Sequence, residues 1–355
     1  MLKRIGETII ELELRPKRVR RVVEAELTRR APLMNERATG HSFVDRHGVR
    51  HPLDHALRDR LKPGWQAMLD PAEADRQPSV RDLRSRATSA ADTVREADQV
   101  VAAVTGKSLA GRILEIGCYD GAAAFQLARR DGIHVVASDF ARYYVVQQRR
   151  RPSDNDLLRS QARLVALRER ARVVASVASD KVQFVEDDIS SSSLAPSTFD
   201  AIVSFEVLEH VASPRAAFES MARLLVPGGV AYHEYNPFFS VIGGHSLCTL
   251  DMPWGHARLE PTDFERYVAE IRPIEAEQAL RFYRDNLNRM TLADLRSAVA
   301  RADLELVALL PWSDRTLLPD LTPQIVSEVQ RVYPTAATED LLATFVSVVV
   351  RKPQV

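Results

Sequence analysis

The stretch "RILEIGCYDG", residues 112–121, decides how the rest of the chain is interpreted. A short, mainly apolar run predicts a buried strand that ends at Gly117, and Gly121 follows four positions later. A glycine-containing turn between a strand and a helix lets backbone N–H groups approach a ligand. Tyr119 occupies the middle of this turn, where glycine would be easiest to accommodate. The tyrosine either abolishes a binding loop or indicates which ligand the loop takes.

Two common phosphate-binding patterns do not fit this loop. The dinucleotide pattern G-x-G-x-x-G would need glycine where the chain has Tyr119 and Ala122. A P-loop would need a lysine directly after its second glycine, and none follows Gly121. What remains is an acidic residue, Glu115, followed by Gly117 and Gly121, a pattern equally compatible with an ordinary tight turn.

Acidic residues follow the next strands at the point where each one ends. Asp139 lies about 20 residues beyond the first glycine, where a carboxylate can accept both hydroxyls of a ribose. The third strand ends at Asp187 and Asp188, beside Ile189, which suits an adenine amino group and packing against its ring. Because ligands of parallel sheets bind outside the carboxyl ends of the strands, we expect these residues to share one crevice.

Strand-like and helical segments alternate from residue 111 onwards. Ser213 precedes a predicted helix at 214–225, and Thr291 is placed to cap a later one. This alternation predicts βαβ units and an α/β, doubly wound, mainly parallel sheet. The predicted strands cover 112–116, 133–139, 181–188, 199–205, 229–235, 304–310 and 342–352.

Composition narrows the class of protein. The 355 residues include 48 Lys+Arg and 48 Asp+Glu, so the balanced charge does not indicate a nucleic-acid partner. Cys118 and Cys248 form no CxxC pair, so neither a disulfide framework nor a structural zinc site is predicted. The sequence shows no secretory signal and no apolar run long enough to span a membrane. We therefore predict a cytoplasmic protein.

Four segments describe the predicted domain organisation. Residues 1–110 are expected to form a mostly helical N-terminal cap, and 111–355 the main domain. Within the latter, the charged stretch 149–176 is interpreted as a helical insertion, more simply a solvated helix or oligomer contact than a substrate-binding arm. The long aromatic segment 236–290 is interpreted as a lid over an acceptor site.

Five motifs together resemble a known family. "LEIGCYDG", "ASDF", "VEDDI", "FDAIVSFEVLEHV" and "LLVPGG" are similar, in order and spacing, to class I S-adenosylmethionine-dependent methyltransferases. The likeness is to the small-molecule branch with an "EVLEHV"-type fourth motif, and it covers about 111–235. The resemblance implies a seven-stranded, Rossmann-like sheet whose last strand is antiparallel, with S-adenosyl-L-methionine as cofactor.

The resemblance also implies roles for individual residues. Gly117 and Gly121 would shape the loop around the methionine moiety, with Glu115 supporting it, while Asp139 would bind the ribose. The remaining assignments are Asp188 to the adenine amino group, the Ile189 backbone to a ring nitrogen, and Phe205 and Glu206 beside the sulfonium. Tyr119, where the family most often has glycine, must turn its ring away from the methionine or form a wall of the pocket.

Histidines are the candidate bases for methyl transfer to an oxygen of a small acceptor. His233 and His245 are the main candidates and His256 a lesser one, while His210 in "LEHV" is more simply a structural residue. A competing metal site could use the donors His233, Glu234, His245, Asp251 and His256. Since they show no tight spacing such as HExxH, no metal is predicted.

Other interpretations of the function remain open at this point. A methyltransferase acting on protein or RNA, or a non-catalytic cofactor-binding scaffold subunit, would also fit the motifs. The Arg-rich stretches 15–30 and 149–172 support a macromolecular acceptor, but neighbouring carboxylates offset both. The expected partner is a small-molecule acceptor, without nucleic acid, and a homodimer is an alternative that the sequence does not decide.

Overall fold

A computed structural model of the chain describes residues 40–69, 76–140, 153–314 and 317–354. The part of the predicted cap before residue 40, with the Arg-rich stretch 15–30, lies outside these residues. The strands are β1 Ser42–Val44, β2 Arg50–Pro52, β3 Arg112–Ile116, β4 His134–Asp139, β5 Val182–Glu186, β6 Phe199–Phe205, β7 Leu225–Tyr235, β8 Glu305–Ser313 and β9 Ala343–Arg351. Among the described residues, no helix combines the length and apolarity needed to cross a bilayer.

Twelve α-helices connect or cover these strands in the described residues. They are α1 Leu57–Leu61, α2 Val80–Thr105, α3 Ala122–Ala128, α4 Asp154–Ala175, α5 Pro214–Leu224, α6 His245–Cys248, α7 Gly255–Arg258, α8 Pro261–Ile271, α9 Ala276–Asp285, α10 Leu292–Arg301, α11 Pro323–Val332 and α12 Thr338–Leu342. The predicted caps are confirmed, because Ser213 accepts a hydrogen bond from Ala216 N and Thr291 forms a capping box with Asp294.

Seven strands form one sheet in the order β5-β4-β3-β6-β7-β9-β8. The strands β3 to β7 run parallel, and β9 pairs antiparallel with both β7 and β8. The predicted α/β sheet with an antiparallel last strand is therefore confirmed. All seven predicted strands are present, each within a few residues of its expected bounds.

Helices cover both faces of the sheet. One face packs against α5 and α10 through Phe218, Met221 and Leu295, which are fully buried. The opposite face packs against α2, α3 and α4. The described part of the segment 149–176 thus differs from a solvated insertion: α4 connects the parallel strands β4 and β5 and buries Leu167, Ala171 and Ala175 beneath it.

A second hydrophobic core lies outside the sheet and is called the helical cap below. It joins three stretches of the chain: 43–61 with the β1–β2 hairpin, 238–287 with α6 to α9, and 317–342 with α11 and α12. The segment 236–290, interpreted as a lid, is folded into helices that pack in this core. The predicted N-terminal cap is divided, because the hairpin packs in this core whereas α2 packs on the sheet.

Candidate cofactor and acceptor site

The two glycines of the loop after β3 are required by its close packing. Gly117 has φ 71°, and a Cβ atom there would lie 2.4 Å from Val207 Cγ2. Gly121 has φ 78°, and a Cβ atom there would lie 2.7 Å from the ring of Phe184. Glycine is the residue that adopts this left-handed backbone without strain. The loop thus packs closely against Val207, which follows β6, and against the Phe184 side chain of β5.

Tyr119 adopts the left-handed backbone conformation although it is not glycine. Its φ is 43°, its N–H donates to Asp139 Oδ2 at 2.8 Å, and its side chain is 42% exposed. The guanidinium carbon of Arg86 lies 5.9 Å from the centroid of its ring. The tyrosine therefore joins the loop through its backbone and turns its ring to the exposed side, beside α2.

Asp139 lies at the carboxyl end of β4, directly against the loop. Its Oδ1 accepts from Phe140 N at 2.8 Å, and its Oδ2 accepts from Tyr119 N and from Arg168 at 3.3 Å. The carboxylate is buried, whereas Phe140 beside it is 41% exposed. The structure thus places Asp139, the residue predicted to bind a ribose, against the loop of Gly117 and Gly121.

Glu115 is the most perturbed carboxyl group of this region. Burial, together with the charges of Asp120 and Asp139, raises its pKa to about 8. Its Oε2 is buried and has no hydrogen-bond partner among the described residues. Such an atom is suited to a donor group from a bound ligand.

The end of β5 differs in detail from the sequence prediction. Asp188 Oδ1 accepts from Ser190 N at 2.9 Å and caps a 3₁₀ turn, while the Ile189 side chain packs in the sheet core. The packing of Ile189 against an adenine ring therefore stays a prediction, as does the role of its backbone. Asp187 Oδ2, by contrast, is buried without a hydrogen-bond partner among the described residues, and Asp187 N donates to Asp139 O at 3.0 Å.

The loop after β6 is held by polar contacts with the end of β7 and the residue that follows it. Glu206 is exposed, has φ 58°, and its N–H donates to Glu234 O at 2.7 Å. Phe205 is half-buried against Tyr232, with 6.3 Å between their ring centroids. Asn236 N donates to Glu209 Oε1 at 3.0 Å. Burial raises the pKa of the Glu209 carboxyl to about 8.

His210 and His245 meet where this loop touches the helical cap. Their ring centroids lie 4.9 Å apart, and His210 Nδ1 lies 2.6 Å from Asn286 O. Because a carbonyl only accepts hydrogen bonds, Nδ1 of His210 carries the proton in this contact. Burial lowers the pKa of His210 to about 4 and, with repulsion from His210, lowers that of His245 well below its usual range. Both imidazoles are therefore neutral at pH 7.

The other two candidate histidines lie in packed cores. His233 is fully buried on β7, with Nδ1 2.7 Å from Ser204 Oγ and its ring edge-on to Phe218. His256 is buried in the cap, with Nε2 2.7 Å from Phe238 O. Their burial lowers the pKa to about 3 and about 4 respectively. Neither joins the pair formed by His210 and His245, so we do not retain them as candidate bases.

The donors of the competing metal hypothesis are dispersed. Asp251 forms an ion pair with Arg272 at 2.7 Å, and Glu234 accepts a hydrogen bond from Tyr232. A different group, Glu209, His210 and His245, brings one ligand atom each within 4.8 Å of one another. Among the described residues this group could hold a metal ion by its donor types.

A family comparison identifies the chain. Residues 73–309 match the family described as "Methyltransferase domain", which is more than half of the sequence. The chain belongs to this methyltransferase family. It is a class I S-adenosylmethionine-dependent methyltransferase.

The methyltransferase is similar to curated proteins named ubiquinone biosynthesis O-methyltransferase. It is 28% identical over 211 residues to a ubiquinone biosynthesis O-methyltransferase of Xylella fastidiosa, covering 59% of this chain and 70% of that protein. It is 31% identical over 174 residues to the protein of the same name from Xanthomonas oryzae, covering 49% of this chain and 62% of that protein. The chain thus spans about two thirds of the length of these relatives.

Solved structures give more distant likenesses to the methyltransferase. A Haemonchus contortus phosphoethanolamine N-methyltransferase in complex with S-adenosyl-L-methionine is 14% identical, with a TM-score of 0.43 and coverage of 81% of this chain and 60% of that one. The [4+2]-cyclase SpnF is 17% identical, with a TM-score of 0.42 and coverage of 74% and 80%.

The residues of the methyltransferase fit S-adenosylmethionine on their own chemistry. The cofactor carries an ammonium and a sulfonium, and the loop after β3 is surrounded by the carboxyl groups of Glu115, Asp120 and Asp139. Glu115 Oε2 and Asp187 Oδ2 are buried acceptors without a hydrogen-bond partner among the described residues. Ribose hydroxyls and amino groups are the donors that such oxygens take.

Two arginines at this site are absent from the sequence-based prediction. Arg86 of α2 pairs with Asp120 at 3.0 Å, and Arg168 of α4 pairs with Asp139 at 3.3 Å. Both lie on helices outside the matched motifs, and both reach the same loop. The charged character of α4 was visible in the sequence, but the face on which Arg168 lies depends on how α4 packs.

Proposed function

We propose that this methyltransferase methylates a hydroxyl oxygen of a small organic acceptor, such as a sugar, a glycolipid precursor or a secondary metabolite. The acceptor would bind between the carboxyl edge of the sheet and the helical cap. The names of the curated relatives, O-methyltransferases of ubiquinone biosynthesis, support oxygen as the methylated atom. The observation that carries the proposal is the pair of neutral imidazoles, His210 and His245, at the boundary of loop and cap.

The cofactor side of the site would be formed by the residues of the strand ends. Asp139 would accept the ribose hydroxyls, Asp188 would bind the adenine amino group, and Gly117 and Gly121 would leave room for the methionine moiety. S-adenosylmethionine supplies an electrophilic methyl group when bound. The chain's own part is to hold this cofactor and the acceptor in line and to remove a proton.

His245 is the proposed base. Its Nε2 is buried and has no hydrogen-bond partner among the described residues, and its φ of 52° holds the residue in the left-handed conformation at the start of α6. A hydroxyl oxygen that gains a methyl group becomes far more acidic, so even a weak base can accept its proton. His210 faces His245 and would orient it, since His210 is itself fixed by Asn286 O.

The acceptor class can be tested with named probes. S-adenosylhomocysteine release is measured with a catechol, 4-hydroxybenzoate and methyl glucoside, and in parallel with casein and mixed tRNA. We expect turnover with at least one of the small hydroxyl compounds. Turnover with only casein or tRNA would overturn the proposed acceptor class and support a macromolecular one.

The base is tested by substitution with the best small acceptor. We expect His245→Ala to lower kcat on the order of 100-fold, the usual contribution of a general base, without changing the cofactor Kd. His256→Gln, a change at a buried histidine outside the pair, is the control and should alter kcat by less than about threefold. An unchanged kcat in His245→Ala would contradict the assignment.

A metal at Glu209, His210 and His245 is the competing use of the same residues. It is distinguished by dialysis against EDTA. Activity that survives EDTA unchanged favours the base, whereas activity that is lost and restored by one divalent cation favours a metal ion held by this group.

A further inference from the structure

Arg168 of α4 contacts the loop after β3, residues 117–121, which is called the cofactor loop below. Its Nε donates to Tyr119 O at 2.8 Å, and its Nη2 lies 3.3 Å from Asp139 Oδ2 and 3.4 Å from Cys118 Sγ. Its guanidinium carbon stands 4.4 Å from the centroid of the Phe184 ring. Its side chain is 13% exposed. Four contacts thus fix this arginine in one place.

Arg168, Asp139 and the backbone of Tyr119 are joined in a ring of hydrogen bonds. The tyrosine N–H donates to Asp139 Oδ2, its carbonyl accepts from Arg168, and Arg168 pairs with the same Asp139 oxygen. The left-handed conformation of Tyr119, φ 43°, is unfavourable for a residue with a side chain. It persists only where surrounding contacts hold both sides of the residue. Arg168 and Asp139 supply those contacts.

We propose that Arg168 is a positioning residue for the cofactor, which compensates for the tyrosine at the middle of the loop and holds the Asp139 carboxylate in orientation. Glycine at position 119 would adopt the same backbone without support. The chain has tyrosine there, and Arg168 supplies the support. The inference rests on the proposed role of Asp139 as ribose ligand, but the bracing of the loop can be tested separately.

The positive charge of Arg168 should weaken the binding of a cationic cofactor, whereas its positioning of the loop should strengthen it. Arg168 pairs with the Asp139 carboxylate and offsets part of its negative charge, whereas Glu115, with a pKa of about 8, is mostly protonated at pH 7. Removing a positive charge would by itself favour a cationic ligand. S-adenosylhomocysteine lacks the sulfonium charge, so comparison of its Kd with that of S-adenosylmethionine separates the two effects.

The phenylalanine beneath Arg168 links both ends of the loop. The ring of Phe184 fills the space where a Cβ atom on Gly121 would stand, at 2.7 Å. Arg168 covers the same ring, so its alkyl stem and guanidinium connect the end of the loop at Gly121 with its middle at Tyr119. This arrangement fits a permanent brace rather than an arginine that vacates the pocket when the ribose enters.

A double-mutant cycle tests the brace. Calorimetry with S-adenosylhomocysteine is carried out on the full chain, on Arg168→Met, on Tyr119→Gly and on the double variant. We expect Arg168→Met to weaken binding about tenfold or more with Tyr119 present and by less than about threefold with glycine at 119. Tyr119→Gly alone should leave the Kd within about threefold.

Further variants keep the test decisive. Arg168→Lys keeps the charge and the stem over Phe184 but loses the two-pronged donor, and should bind between wild type and Arg168→Met. Arg159→Met, at an exposed position on the same helix, is the matched control and should leave the Kd unchanged. Equal losses in both backgrounds would overturn the compensation of Tyr119, and tighter binding in Arg168→Met would overturn the brace and show an arginine that competes with the ribose.

The brace and the role of Asp139 can fail independently. Amide hydrogen exchange at 117–121 should accelerate in Arg168→Met and not in the variant that also carries Tyr119→Gly. If exchange follows this pattern while Asp139→Asn binds the cofactor normally, the ribose assignment fails and the brace stands. If exchange is unchanged while Asp139→Asn loses binding, the brace fails and the ribose assignment stands.

Discussion

The cofactor loop and the helical cap are built in different ways. The loop after β3 is short, belongs to one stretch of sequence, and is surrounded by the carboxyl groups of Glu115, Asp120 and Asp139. The cap joins three distant stretches, 43–61, 238–287 and 317–342, around a common apolar core. Its buried ionisable groups include the ion pair of Arg58 with Glu275 and the neutral His256. The predicted cofactor loop is formed by one short stretch of sequence, whereas pairs between residues distant in sequence hold together the part that would enclose an acceptor.

The largest expected effect lies in the cap. Arg58 is buried and binds Glu275 through both terminal nitrogens, at 2.6 and 2.8 Å, while stacking on Trp65. Arg58→Met leaves the buried Glu275 carboxylate without this partner, and we expect a loss of about 3–5 kcal/mol of unfolding free energy in urea titrations. The cofactor Kd of the folded protein should stay unchanged, because Arg58 lies in the cap.

A second ion pair of the cap provides the control for Arg58. Arg284 of α9 pairs with Glu265 of α8, and the two side chains are 54% and 40% exposed. Exposed pairs contribute little, so Arg284→Met should cost less than about 1 kcal/mol. Equal costs for the two variants would contradict the view that buried pairs hold the cap together.

The second prediction concerns the cofactor loop. Asp139→Asn removes the charge that accepts the N–H of Tyr119 and would accept the ribose hydroxyls. Losing two hydrogen bonds to a charged acceptor should raise the cofactor Kd on the order of 100-fold. Calorimetry with S-adenosylmethionine measures this change. Asp131→Asn, in the exposed turn before β4, should bind as wild type does; a similar loss there would show a non-specific charge effect.

The same contrast explains how much the sequence could predict. The strands were predictable because each is a local apolar run, and Asp139 because a parallel strand ends there. The helical cap could not be predicted from the sequence. Its three-residue strands β1 and β2 carry no recognisable alternation, and their partners lie some 200 residues away. Arg168 was missed for the same reason, since its contact with Tyr119 depends on the packing of α4.

His233 shows what strand periodicity cannot decide. Side chains alternate along a strand, so His233 shares a face with Ala231 and Tyr235 in one core, but Tyr232 on the opposite face is equally buried in the other. His245 lies at the start of a four-residue helix in the cap, where no periodic pattern indicates which way a side chain turns. The sequence therefore could not choose between the two histidines.

The smallest expected effect, counted per pH unit, is the pH dependence of stability, which should have opposite signs in the two regions. In the cap, burial lowers the pKa of His256 from 6.5 to about 4, so the unfolded chain binds a proton that the folded protein does not. Stability should therefore fall as the pH falls from 6.5 towards 4. Beside the cofactor loop, burial raises the pKa of Glu115 from 4.5 to about 8, so there stability should fall as the pH rises from 4.5 towards 8.

Two variants separate these opposing slopes. Each group contributes at most about 1.4 kcal/mol per pH unit within its window. The unfolding free energy is measured by urea titration between pH 4.5 and 8. His256→Gln should reduce its fall towards pH 4.5, and Glu115→Gln should reduce its fall towards pH 8. Each variant is also compared with wild type in the pH range where the other group titrates. Between pH 7 and 8, His256→Gln should follow the slope of wild type, because the imidazole is neutral there in both the folded and the unfolded chain. A parallel shift of the whole profile by either substitution would mean that the group acts through packing alone and that its ionisation is not linked to folding.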